Sequence, residues 1–185
     1  MKNNQHLFTR AIHWSMAILT ITIIVMGFYM AYVHDLALYP LHKSLGVIAF
    51  VFILFRLYAR LKNPWQSSSL GSSQEKLVHI VHWLLLGLLL LMPISGMLNS
   101  GFGGYGISLF GLEIIPSNFD PSGKVIAFNG AIANLGKRLH EINGYIFSAF
   151  ILLHVGAALK HHFIDKDDTL NRMLNRQSTE RRASN

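Results

Sequence analysis

Four long apolar stretches dominate the order of residues. Between Arg10 and Asp35 there is no Asp, Glu, Lys or Arg, over AIHWSMAILTITIIVMGFYMAYVH. A transmembrane helix needs about 20 mostly apolar residues, so this run predicts a first span over about 11–34. A second is predicted over about 40–60, with Lys43 and Arg56 towards its ends. A third, over about 77–98, contains the most apolar segment, HWLLLGLLLLMPISGML. The fourth, over about 139–162, is uncharged from Ile142 to Leu159. Four spans predict an all-α membrane protein: a four-helix antiparallel bundle, up-down-up-down, as a single domain over 1–174. The first stretch far exceeds the 7–15-residue core of a signal peptide and lacks a clear small-residue cleavage site, so it is read as a retained span.

The connections differ. Residues 34–41 predict a tight turn. Residues 61–76 (LKNPWQSSSLGSSQEK) are polar and rich in Pro, Ser and Gly. Residues 99–138 read as a long loop of glycines, aromatics and small residues. The segment SGFGGYG (100–106) is glycine-rich but follows a membrane helix, without the strand–turn–helix setting of a nucleotide loop. The tail 175–185 reads as disordered.

Composition sharpens this picture. Of 185 residues, 51% are hydrophobic and 14% charged, against about 25% charged in soluble domains. The formal net charge is +7. Its distribution predicts topology rather than nucleic-acid binding: 12 Lys and Arg fall on the side of the termini and 4 (Lys43, Lys124, Lys137, Arg138) on the other. The positive-inside rule then places both termini in the cytoplasm and loop 99–138 across the membrane. Cysteine is absent, which excludes disulfides, thiolate zinc sites, iron–sulfur clusters and thioether-linked haem.

Two helical hairpins repeat. His13 and His82 are each preceded by an aliphatic residue, followed by Trp, and followed 14 residues later by Gly27 or Gly96. The second and fourth spans share LHxxxG, at Leu41–Gly46 and Leu139–Gly144.

The ten histidines carry the candidate chemistry, because ionisable groups inside a membrane are costly and commonly functional. His140 and His154 are 14 residues apart on the fourth span. That spacing is about 40° short of four turns and about 21 Å of rise, so both project from one helix face near opposite membrane surfaces. Two stacked ligands suit two haems in a transmembrane electron path. His42 lies at the depth of His140, and His13 at that of His154. His79 and His82 compete for the inner site, and geometry leaves that choice open. Small residues four positions after each candidate (Ala17, Gly46, Gly144, Ala158) leave room for a macrocycle. His161 and His162 read as interfacial, His6 and His34 as solvated.

With IHW (12–14), LHKSLG (41–46), HIVHW (79–83), LHEINGY (139–145) and LLHVGAALKHHFIDKDDTLNRML (152–174), the chain resembles the bacterial cytochromes b561 of the four-helix, di-haem inner-membrane type. The resemblance runs from about Phe8 to Leu174. It implies His13, His42, His140 and His154 as axial ligands of haem iron, with inner pair His13/His154 and outer pair His42/His140, in two non-covalent b haems. The second and fourth helices would flank the outer haem, and the first and fourth the inner. Cations for the propionates are expected among Arg10, Arg56 and Arg60 inside, and Lys43, Lys137 and Arg138 outside. The implied function is transmembrane electron transfer exchanging electrons with membrane quinone, with superoxide oxidation coupled to ubiquinone reduction as one activity described in the family. For an anionic substrate, Lys43, Lys137 and Arg138 would form a positive funnel. The alternative is a membrane-anchor and relay subunit for a partner dehydrogenase or hydrogenase. A proton-relaying transporter, a third class, predicts no haem.

Overall fold

Helices form over the apolar runs: α1 (Lys2–Val33), α2 (Tyr39–Lys62), α3 (Ser73–Phe102) and α4 (Gly130–Phe163), followed by a short α5 (Thr169–Leu174). This computed structural model describes residues 2–62, 73–166 and 169–174. Most of the expected 61–76 loop and the whole 175–185 tail lie outside the described residues. The four long helices contain stretches long and apolar enough to cross a membrane, Thr9–Val33, Tyr39–Lys62, Lys76–Phe102 and Gly130–Phe163. Their outward faces carry large apolar residues such as Ile18, Phe55, Leu152 and Leu153, as lipid contact requires. Below, the end of the bundle holding Trp14 and α5 is the inner end, and the end holding the 103–129 connection is the outer.

The expected boundaries of the third and fourth helices are corrected. The fourth begins at Gly130, not near 139, and the third runs on to Phe102. Asn129 explains the first difference. Its backbone is extended, and its side chain accepts hydrogen bonds from the amides of Ala131 and Ile132, so it caps the helix. Lys137 and Arg138 interrupt hydropathy without interrupting the helix. The long loop therefore shrinks to 103–129.

Helices α1 and α2, α2 and α3, and above all α3 and α4 are neighbours. Phe28 on α1 and Tyr145 on α4 meet edge-to-face at 5.3 Å. Met16, Ala49 and Ile53 form a buried cluster with Leu86, Leu89 and Leu90 packed against it. The α3–α4 seam closes at Gly136. A Cβ there would lie 2.6 Å from the Asn99 amide nitrogen, 2.8 Å from Leu98 Cβ and 2.9 Å from the Ser95 carbonyl oxygen. Only a residue without a side chain permits that approach.

The outer connection is built rather than loose. Strands β1 (Ile107–Leu109) and β2 (Leu112–Ile115) pair antiparallel, with Leu109 opposite Leu112. Phe110 and Gly111 turn between them with φ of 48° and 90°, the left-handed pair that a two-residue hairpin turn demands. Ser44 of α2, almost wholly buried, donates to the Ser108 carbonyl and accepts from the Phe110 amide. This fixes the hairpin to the outer end of the bundle. The glycine run ends α3 and lets backbone cross backbone: a Cβ on Gly104, at φ 82°, would strike the Ile126 carbonyl. At the inner end, Trp14 Nε1 donates to the Met173 carbonyl at 3.1 Å, tying α5 to α1. Asp165 is held below the usual carboxylate range, first by its hydrogen bond from Lys160 and also by His161.

Candidate functional site

Two groups of imidazoles stand at different levels of the bundle. At the outer level, the rings of His42 on α2 and His140 on α4 have centres 6.1 Å apart and planes at 81°. An imidazole nitrogen sits about 2 Å from a bound first-row metal, and the ring centre about 1 Å beyond. Two rings on opposite sides of one ion therefore have centres about 6 Å apart. The observed separation matches.

Glycines flank this pair. A Cβ on Gly27 would lie 3.4 Å from His42 Cε1, and one on Gly96 3.3 Å from both Cε1 and Nδ1 of His140. These are the two repeat glycines that follow His13 and His82 by 14 residues. Helices α1 and α3 thus each carry an inner histidine and an outer glycine that makes way for the next helix's imidazole.

The outer imidazoles are held differently. His140 Nδ1 lies 2.9 Å from the Met92 carbonyl oxygen and 3.2 Å from Ser95 Oγ. A carbonyl only accepts, so Nδ1 carries the proton and donates, leaving the Nε2 lone pair free for a metal. His42 Nδ1 is buried with no hydrogen-bond partner among the described residues.

At the inner level, the structure gathers His13, His82, His154 and Arg56. The rings of His82 and His154 have centres 5.7 Å apart at 80°. His82 Nδ1 donates to the Val78 carbonyl one turn back at 2.7 Å. His13 Nδ1 lies 3.1 Å from an Arg56 guanidinium nitrogen. Arginine only donates, so Nδ1 accepts and neutral His13 carries its proton on Nε2 in this arrangement. The repeat extends to this site. Arg56 follows His42 by 14 residues, as His154 follows His140. The pairs His13–Arg56 and His82–His154 are therefore equivalent, with an arginine standing in the first hairpin where the second has an imidazole. His79 is half-buried nearby in sequence, and His34 is exposed in the α1–α2 turn. His161 bonds Asp165 at 2.9 Å.

The outer cations do not act as one group. Lys43 Nζ donates to the Tyr105 and Gly106 carbonyls at 3.0 and 3.3 Å and lies over the Tyr39 ring. It clamps the 103–129 connection, which removes it from the expected funnel. Lys137 is exposed and 3.9 Å from Glu141.

Sequence reasoning missed the polar residues that hold this arrangement: Ser44, Ser95 and Asn143, all at most 3% exposed. Asn143 donates to the Leu88 carbonyl of α3. For Ser44 and Asn143 the signal was a small polar residue within an apolar run, two or three positions after a candidate histidine; Ser95 carried no such signal.

Comparison with known proteins agrees with this geometry. The description "prokaryotic cytochrome b561" matches residues 4–176. Cytochrome b561 homolog 2 of Escherichia coli (strain K12) is 32% identical over 180 residues, covering 92% of this chain and 90% of that protein. Cytochrome b561 homolog 1 of the same organism is 29% identical over 74% of each chain. A probable superoxide oxidase CybB of Yersinia pestis is 30% identical over 72% of this chain and 73% of its own. A bundle of four membrane helices with histidine pairs at two levels, matched by the family over residues 4–176 and by these relatives over 72 to 92% of its length, belongs to the prokaryotic cytochrome b561 family.

Proposed function

We propose that the chain carries electrons across the membrane through two bis-histidine b haems, from superoxide at the outer face to ubiquinone. Family membership makes it a bacterial membrane electron-transfer protein of b-haem type with an oxidoreductase role. The observation that carries the finer reading is the stacking of imidazole pairs at two levels joined by α4. His42 and His140 would hold the outer haem. At the inner level His154 would be one ligand and His13 the other, a choice that rests on the family resemblance, since the rings facing each other there at 5.7 Å are those of His82 and His154. A bis-histidine haem has no open coordination position, so when bound it supplies one-electron exchange rather than oxygen binding.

The chain's own residues serve this reaction in distinct ways. Gly27 and Gly96 make room beside the outer imidazoles. Met92 fixes the proton of His140 on Nδ1. At the inner site, ligation of His13 through Nε2 requires Arg56 to release Nδ1. The freed guanidinium then offers its donors to a carboxylate such as a propionate. The hairpin and the Lys43 clamp cover the outer end. Lys137 and Arg138, in the first turns of α4, leave positive charge there to attract an anion. The balance is two superoxide ions, one ubiquinone and two protons giving two dioxygen and one ubiquinol. The 12-to-4 charge distribution supports cytoplasmic termini, and the relative named as a probable superoxide oxidase supports the donor.

The test is haem reduction by a superoxide source in purified protein, followed by ubiquinone consumption. The expected result is rapid reduction that slows with rising salt. Neutralising Lys137 and Arg138 together (to Gln) is expected to slow it several-fold and flatten the salt dependence. No reduction by superoxide, with a dehydrogenase or hydrogenase co-purifying at fixed stoichiometry, would favour the relay reading instead.

A further inference from the structure

The outer imidazoles belong to equivalent positions of a repeat, yet their surroundings are unequal. His42 stands against Gly27 and faces the backbone of Ile23, four residues earlier on α1. No hydrogen bond of normal length forms at its Nδ1 among the described residues. His140 stands against Gly96 and bonds the carbonyl of Met92, likewise four residues earlier, at 2.9 Å. The backbone plan is the same, and only the second hairpin completes it.

Two substitutions between the hairpins account for this. At the residue before the glycine, the first hairpin has Met26 and the second Ser95. Three before it, the first has Ile24 and the second Pro93. Pro93 lies inside α3. It has no amide hydrogen for the Leu89 carbonyl, and its ring crowds that turn. On either side of the proline, α3 carbonyls then bond α4 side chains: Leu88 with Asn143 and Met92 with His140. Ser95, fully buried, sends its hydroxyl proton to its own helix, with Leu91 and Met92 carbonyl oxygens at 2.7 and 2.9 Å. Its oxygen therefore accepts from His140 Nδ1 at 3.2 Å. Gly136, one turn before His140, brings α4 close enough for both bonds to form.

We infer that Ser95 is a positioning residue for the outer haem. It completes a two-acceptor clamp on His140 Nδ1 that His42 lacks, making His140 the fixed, more basic ligand and His42 the adjustable one. Hydrogen bonding at the distal ring nitrogen fixes ring orientation and raises the basicity of the ligating nitrogen. A more basic ligand favours the ferric state, so Ser95 lowers the outer haem's reduction potential. This inference rests on His140 being an axial ligand, as proposed above.

The test is redox titration and low-temperature electron paramagnetic resonance of the purified holoprotein. Ser95→Ala is expected to raise the midpoint potential of one haem and shift its low-spin signal. The other haem should keep both. Ser95→Thr retains a hydroxyl that bonds the preceding turn, and is expected to keep the native potential. It also serves as the reference if Ser95→Ala loses the haem outright: a native spectrum in the threonine variant assigns the loss to the hydroxyl. Two retained haems with unchanged potentials and signals in Ser95→Ala would overturn the role of Ser95 alone, as would a threonine variant that behaves like alanine. A native protein with no b-type spectrum would overturn the functional reading itself.

Discussion

Replacing His140 with alanine is expected to remove the outer b haem and leave the inner one, halving the haem content of the purified protein. His140 is one side of the 6.1 Å imidazole pair, and its Nδ1 bond to Met92 aims an unprotonated Nε2 away from α3. Alanine deletes the ligand while leaving the Asn143–Leu88 contact and the Gly136 seam in place, so α3 and α4 should stay docked. His154→Ala is the reciprocal case and should spare the outer haem. The inner partner is tested in the same series. His13→Ala is expected to lose the inner haem, and His82→Ala to keep it with a shifted spectrum, because His82 stands 5.7 Å from His154. Haem content per chain, measured as the pyridine adduct, reads every variant. A His82→Ala protein lacking the inner haem beside a His13→Ala protein that keeps it would move the ligand to α3.

The second large effect falls where no haem ligand is touched. Gly136→Val is expected to destabilise the bundle by at least about 3 kcal/mol, the upper range for overpacking a close-packed interior. The new Cβ would meet the Asn99 amide and the Ser95 carbonyl below 3.0 Å. Backbone atoms in two helices cannot yield as a flexible side chain would. The helices must separate, and the same displacement withdraws His140 from Met92 and Ser95. Thermal unfolding in detergent should show a large fall in Tm with early loss of the outer haem. Gly87→Ala on α3, where a Cβ meets nothing within 4 Å, is the control and should leave Tm nearly unchanged. A Gly136→Val protein as stable as that control would contradict the α3–α4 seam.

The helical architecture was legible because membrane spans announce themselves by length and composition. The boundaries were less so. Lys137 and Arg138 lower hydropathy without breaking the helix, and the Asn129 cap that starts α4 lies eight residues ahead of Lys137. The hairpin 107–115 was hidden for a different reason. Its strands have three and four residues, and its turn, Phe110–Gly111, carries only half of the usual two-residue signature. The histidines were legible from the period of the helix. Fourteen residues return nearly to the same face, so depth and face could be assigned to His140 and His154 before any coordinates. The role of Ser95 was not legible, nor was the pairing of Arg56 with His13, although Arg56 was expected as a propionate cation. Hydrogen bonds between helices depend on how closely the backbones approach, and that distance is set at Gly136, on a different helix from Ser95. Likewise Lys43 looks like a free outer cation until the folded 103–129 connection brings the Tyr105 and Gly106 carbonyls to it.

The central claim is that one chain holds two b haems, each between a pair of imidazoles. A reduced-minus-oxidised absorbance spectrum of the purified protein, with haem quantified against polypeptide, tests it most directly. The account predicts a b-type spectrum at two haems per chain. A single haem per chain, or none, would contradict it.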